Sequence, residues 1–213
     1  MNKPVFMSIA RLGGTLSLLA ILSGCYASSK LLQIPDHSDS ITRSVENAKK
    51  PKLPAFVSSI NVKRDNAGAN PSTDFERRFL GHLNQTNYFS DIVNGTASRR
   101  PEPPYVDLSL DIDEHVDNHS GNNAVKGFFT GATLLLLAPA LPATYDYDTS
   151  FTLHARWLNN IQKTYKASCA ASASGTFPYE EAKKEFNAAI GNCTEKCINS
   201  VLNQLTADRT QPQ

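Results

Sequence analysis

Most of the patterns that announce a chemistry are missing from this sequence. Ser-x-x-Lys, Gly-x-Ser-x-Gly and His-Glu-x-x-His do not occur, and the one Gly-Gly pair, Gly13-Gly14, opens no phosphate loop. An excess of either charge is missing too: 21 Lys and Arg face 20 Asp and Glu. With residues 1–24 set aside, which hold Lys3 and Arg11 and no acid, the remainder stays near neutral and lacks the electrostatic footprint of a nucleic-acid binder. Histidine is scarce, at five residues. His115 and His119 bracket Asp117, with Asp111, Asp113 and Glu114 just before them, and this is the one cluster with acid–base or metal-binding character. Its spacing of four suits a helix, whereas the surrounding pattern reads as strand then turn. A solvated strand end is the expectation, with no metal, no cofactor and no catalytic residue assigned. No internal repeat of fixed period is present, and 40% hydrophobic with 19% charged residues is ordinary for a globular chain of 213 residues, one domain or two.

What is present is an address. Lys3 and Arg11 precede a short apolar run, Leu16-Ser17-Leu18-Leu19-Ala20-Ile21-Leu22, too short to span a bilayer. Leu22-Ser23-Gly24-Cys25 follows, and it resembles the bacterial lipobox. The resemblance implies a signal peptide over 1–24, cleavage before Cys25, and acylation of the Cys25 thiol and its new amine, with Leu22, Ser23 and Gly24 read by the peptidase. Two or more acyl chains make a stable anchor where one is marginal. Tyr26 and Ala27 stand where an Asp would mark inner-membrane retention in enterobacterial lipoproteins, so the resemblance implies the outer membrane, with the body facing the periplasm.

Residues 25–54, rich in Ser, Pro and Lys, read as a lipidated flexible tether. Residues 55–206 read as one periplasmic domain, and 207–213 as a polar tail. Within the domain, Tyr105-Val106-Asp107-Leu108-Ser109-Leu110-Asp111-Ile112-Asp113 alternates strictly, one face for a core and one for water. Alternation returns at 145–157, Asn159-Asn160 reads as a hairpin turn, and Gln162 to Thr176 returns as a strand rich in Ala and Ser. Phe75, Phe79, Leu80 and Leu83 make one helical stripe. Phe186, Ala189, Ile190, Cys193, Cys197, Val201 and Leu205 make another, opened by Glu180 and Glu181. The order predicts an α+β fold: a mostly antiparallel sheet of about five strands covered by two helices.

One insertion stands out. From Gly127 to Tyr145 there are 19 residues without a charge, and Phe128, Phe129, Leu134, Leu135, Leu136 and Leu137 lie within them. Three structures fit the 127–143 segment: a transmembrane helix, an element buried against the sheet, or an exposed apolar hairpin in contact with a membrane or a partner. Pro139 and Pro142 leave a helix of about 12 residues, short for a span.

Beyond Cys25, the cysteines are Cys169, Cys193 and Cys197. The periplasm permits disulfides, and three cysteines allow one bridge. Cys169 on a strand joined to Cys193 or Cys197 on the covering helix would lock helix to sheet. A Cys193–Cys197 bridge across one helical turn, a shared metal ion, or three reduced thiols are the other arrangements. The body resembles, at the level of pattern, the small α/β auxiliary lipoproteins of bacterial envelope assemblies. That resemblance implies a non-enzymatic adaptor or assembly factor that meets the membrane through its acyl chains and an envelope protein as partner. A homo-oligomer is compatible with it. The other class that fits is a binding or transport module for a lipid or another hydrophobic envelope ligand.

Overall fold

The computed structural model describes residues 27–41, 52–65, 75–95, 98–117, 119–132, 141–158, 160–176 and 179–208, with backbone alone at 127 and 129–132. In chain order the described elements are β1 (Ala27–Gln33), β2 (Ala55–Asp65), α1 (Phe75–Gln85), β3 (Ile92–Asn94), β4 (Val106–Asp117), α2 (Ser120–Ala132), β5 (Ala143–Arg156), β6 (Gln162–Gly175) and α3 (Glu180–Ala207). The strands form one open sheet in the order β1-β6-β5-β4-β2-β3.

The alternation in the sequence decides which face is covered. On β4, Leu108, Leu110, Ile112 and Val116 are buried, and opposite them on β5 so are Ala155, Leu153, Phe151 and Tyr147. α3 lies over β6, β5 and β1, and α1 packs beside it. α3 sends Phe186, Ile190, Cys193, Cys197, Val201 and Leu205 into this layer, and α1 sends Phe75, Phe79 and Leu83. Phe75 meets Phe151 edge-on at 5.9 Å. Each large side chain buried here contributes about 1.5–3 kcal/mol. The intervening residues of β4 and β5, among them Asp111, Asp113, His115, Asp148, Thr152 and His154, turn to the other, polar face.

The architecture is α+β as expected, but the sheet is mixed and larger. It has six strands, of which β2 runs parallel to both β3 and β4. A strand that reaches its neighbour through a helix re-enters in the same direction, and α1 forces this on β2 and β3. A third helix, α2, starts at Ser120 where the Asn-rich sequence reads as a turn. Regular alternation along β2 would put Phe56, Ser58, Ile60 and Val62 on one face, but the strand is irregular. The pairing slips between Val57 and Ser59, so Ala55 and Val57 point into the core before the bulge and Ile60 after it. α3 runs unbroken through Gly191-Asn192.

The tether is the largest correction. Ala27–Gln33 is an edge strand hydrogen-bonded to β6, from Ala27 opposite Gly175 to Gln33 opposite Ala170. Beyond it, α3 grips the backbone of 36–40. Ser200 donates to Asp36 O at 2.6 Å, Asn199 to Ser38 O at 3.2 Å, and Asn203 to both His37 O and Ser40 O at 2.6 Å. The polar composition that reads as a loose linker is here a set of backbone carbonyls captured by buried side chains. Residues 27–41 therefore belong to the body.

Candidate functional site

The strand register gathers several features at one end of the sheet. Ala27 of β1 pairs with Gly175 of β6, and Gly175 pairs with Ala143 of β5. β4 ends beside them, its last residue Asp117 opposite Asp146. The start of β1, the end of β6, the start of β5, the end of β4 and the first turn of α3 thus lie together. α2 leaves from this end.

α2 is tied down at its root. β4 stops at Asp117, so the edge of β5 beyond Asp146 has lost its partner strand. Asn123 replaces it: its Nδ2 donates to Thr144 O at 2.9 Å, and its Oδ1 accepts from Thr144 N at 3.2 Å. Lys126 Nζ donates to Pro142 O at 2.8 Å. His119, in the left-handed region at φ 45°, stands between two carboxylates, with Nε2 2.8 Å from Asp146 Oδ2 and Nδ1 3.2 Å from Asp117 Oδ2. Beyond the root, the helix turns apolar side chains to solvent. Val125 is 54% exposed and Phe128 71%, three residues apart and so on one side of the helix.

Of the residues singled out by the sequence, Phe128 lies on this exposed side. Cys25, Leu22, Ser23, Gly24, Leu134, Leu135, Leu136 and Leu137, and the side chain of Phe129, lie outside the described residues. Among the described residues no helix is long and apolar enough to cross a membrane. Val125 and Asn123 escape a sequence reading because 117–123 looks like a turn. The signal for Val125 is its i, i+3 spacing from Phe128.

Cys169 of β6 and Cys193 of α3 form a disulfide with Cα atoms 5.6 Å apart, joining sheet to helix. Cys197 is buried with a free thiol, and burial pushes its pKa up to about 12. It is therefore an unreactive core residue at neutral pH. Among the described residues no group of three or more His, Cys, Asp or Glu side chains is placed to hold a metal ion.

His115 and His119 are not brought together into one site. His115 is on β4 and lines an open basin of about 360 Å³ on the polar face, with Lys63, Asp65, Asp113, Asp148 and Ser168, while His119 clamps the root of α2. On the same face, His154 Nε2 lies 3.2 Å from Asp111 Oδ2. Glu114 points the other way, into the core, where Arg64 Nε at 2.8 Å and the Tyr147 hydroxyl at 2.7 Å donate to it. Burial, and then the Glu114 charge, push the Tyr147 hydroxyl pKa upward, so it stays a donor. This fully partnered buried pair is a structural feature of the β2–β4–β5 core.

No family model and no curated protein matches the chain. Among solved structures, a neuraminyllactose-binding hemagglutinin homologue from Helicobacter pylori is similar at a TM-score of 0.41 and 9% identity, over 76% of this chain and 85% of that one. A likeness of that size carries no information on binding or activity.

Proposed function

We propose that this chain is an outer-membrane lipoprotein, anchored through Cys25 and facing the periplasm, whose α+β body works as a non-enzymatic adaptor or assembly factor in the cell envelope. The observation that supports it most is how the body takes hold of the chain directly after the lipobox-like motif. Only Tyr26 separates Cys25 from β1, β1 is hydrogen-bonded along β6, and the residues that follow are gripped by α3. An anchor at Cys25 then fixes a folded body beside the bilayer instead of trailing it on a linker. The polar sheet face, with Asp, Ser, Thr and His side chains on β4 and β5, lies opposite the helix-covered face and leaves these groups available to a partner.

The carrier of a hydrophobic ligand is the rival reading. It has less support, because the basins on the described surface are lined largely by polar side chains, Lys63, Asp65, Asp113 and Asp148 in one and His37, Asp39, Asn203 and Asp208 in another.

Full-length protein recovered from envelopes with mild crosslinking, beside its Cys25→Ala form, tests the proposal. A discrete protein partner recovered only with the acylated form supports it. Co-purifying lipid with no protein partner overturns it in favour of the carrier.

A further inference from the structure

We propose that the end of the sheet carrying α2 rests on the bilayer, with Val125 and Phe128 entering the lipid leaflet that holds the acyl chains. This rests on the reading of Cys25 as the anchor, and it identifies the partner of α2 as lipid.

From Cys25 to Ala27 the chain spans at most about 7 Å, so the anchor holds the start of β1 at the membrane surface. The row Ala27, Gly175, Ala143 puts the starts of β1 and β5 at the same end, and β4 feeds α2 out of that end. α2 is fastened there by Asn123 and Lys126, so its place relative to the anchor is set by the fold. The side it turns outward carries Val125 and Phe128.

The charge pattern agrees. Lys126 is the one charged residue of α2, and its ammonium is occupied by Pro142 O. A lysine near the interface keeps its head among polar groups while its stem lies along apolar surface. The sequence then runs uncharged to Tyr145. The acids of this end sit one step back from α2: Asp117 and Asp146 flank His119, and Glu180 and Glu181 open α3. Lys183 and Lys184 follow Glu180 and Glu181 in α3, so this end carries no excess of positive charge that would call for an anionic surface, and a zwitterionic one suffices.

Other exposed apolar side chains lie away from this end: Leu32 at 56% and Ile34 at 51%, five and seven residues along the chain from Ala27, and Leu158 at 56% and Ile161 at 38% in the turn between β5 and β6. That turn is at the opposite end, beyond the 14 residues of β5, about 45 Å away. A hydrocarbon core of about 30 Å does not reach both ends of a body held at Ala27. The anchor selects the α2 end.

The sole tryptophan, Trp157, is at the far end, which makes a depth measurement direct. The acylated full-length chain is placed in phosphatidylcholine vesicles whose acyl chains are brominated. Indole quenching is read for the native chain and for Phe128→Trp in a Trp157→Phe background. Leu158→Trp in the same background reports the far turn. The expected result is quenching for Phe128→Trp alone, and loss of about tenfold or more in vesicle partitioning for a Cys25→Ala chain when Val125→Asp and Phe128→Asp are added. An acylated chain with no quenching for Phe128→Trp overturns the proposal and leaves α2 to a protein partner. So does quenching for Leu158→Trp. A mass that shows no acyl groups on Cys25 overturns the anchor reading itself, and this proposal with it.

Discussion

The two ends of the sheet use the same device with opposite results. At the far end, Asn199, Ser200 and Asn203 of α3 seize the carbonyls of 36–40 and are themselves buried in doing so. At the near end, Asn123 of α2 seizes the edge of β5 at Thr144, but only the root of the helix is held. The far grip draws a segment in and uses up its polar groups. The near grip holds a helix out, with Val125 and Phe128 in solvent. A side-chain amide bound to backbone is therefore no sign of structural or functional purpose by itself. What separates the ends is where the apolar surface goes once the grip is made.

The largest effect is expected from cutting what fixes α3 before it reaches the far end. Cys169 and Cys193 close a loop with a sequence separation of 24. Chain entropy alone assigns about 3.5 kcal/mol to such a loop. Cys169→Ser with Cys193→Ser lowers stability by that order in urea melts under oxidising conditions, and the difference vanishes when both proteins are reduced. An equal drop with and without reductant would place the loss in packing.

Next in size is the far grip. Asn203→Ala leaves His37 O and Ser40 O without their donor, at about 1–3 kcal/mol for a buried group left unpaired. Limited proteolysis sharpens the point: cleavage within 34–41 appears in this variant and not in the native protein. If 34–41 stays protected, β1 holds the segment and the amide grip is ornamental.

Cys197 lies between Cys193 and Asn199 on the same helix, so its titration reports on the far half of α3. Its pKa rises from 9.0 to about 12 on folding. The neutral thiol is therefore favoured in the folded state. The stability this represents is complete below pH 9 and is lost as pH climbs from about 9 to about 12, reaching about 1.4 kcal/mol at pH 10. Cys197→Ala flattens this part of the profile, read as the difference between the two proteins so that other titrating groups cancel.

The same contrast explains how much could be read from the sequence. β4 was legible because Val106, Leu108, Leu110 and Ile112 alternate with Asp and Ser, and burial of one face writes that pattern into the residues. The inner stripe of α3 was legible for the same reason at helical period. β1 was not, because an edge strand held to β6 by its backbone needs no apolar alternation, and Ala-Ser-Ser-Lys-Leu-Leu-Gln is nowhere fully buried. The parallel pairing of β2 depends on which strands meet after α1, which residue period does not encode. The far grip was hidden because Asn199 and Asn203 act on backbone carbonyls, which every sequence has. At the near end, Phe128 was legible as an apolar residue in an uncharged run. Asn123 was not, since an Asn-rich stretch after a strand reads equally well as a turn.

The near end is expected to show the smallest effects on folding, and these make the sharpest test. Asn123→Ala removes both bonds to Thr144 in a half-exposed place, at about 1 kcal/mol. Val125→Asp with Phe128→Asp touches two solvent-facing side chains and shifts the melt by less than about 0.5 kcal/mol. If that pair lowers stability by several kcal/mol, α2 is packed against the body and the ends differ in degree only. If the melt is unchanged while vesicle partitioning falls, folding and surface contact are separable at this end. They are not separable at the far one, where the residues that hold 36–40 are the buried residues of α3.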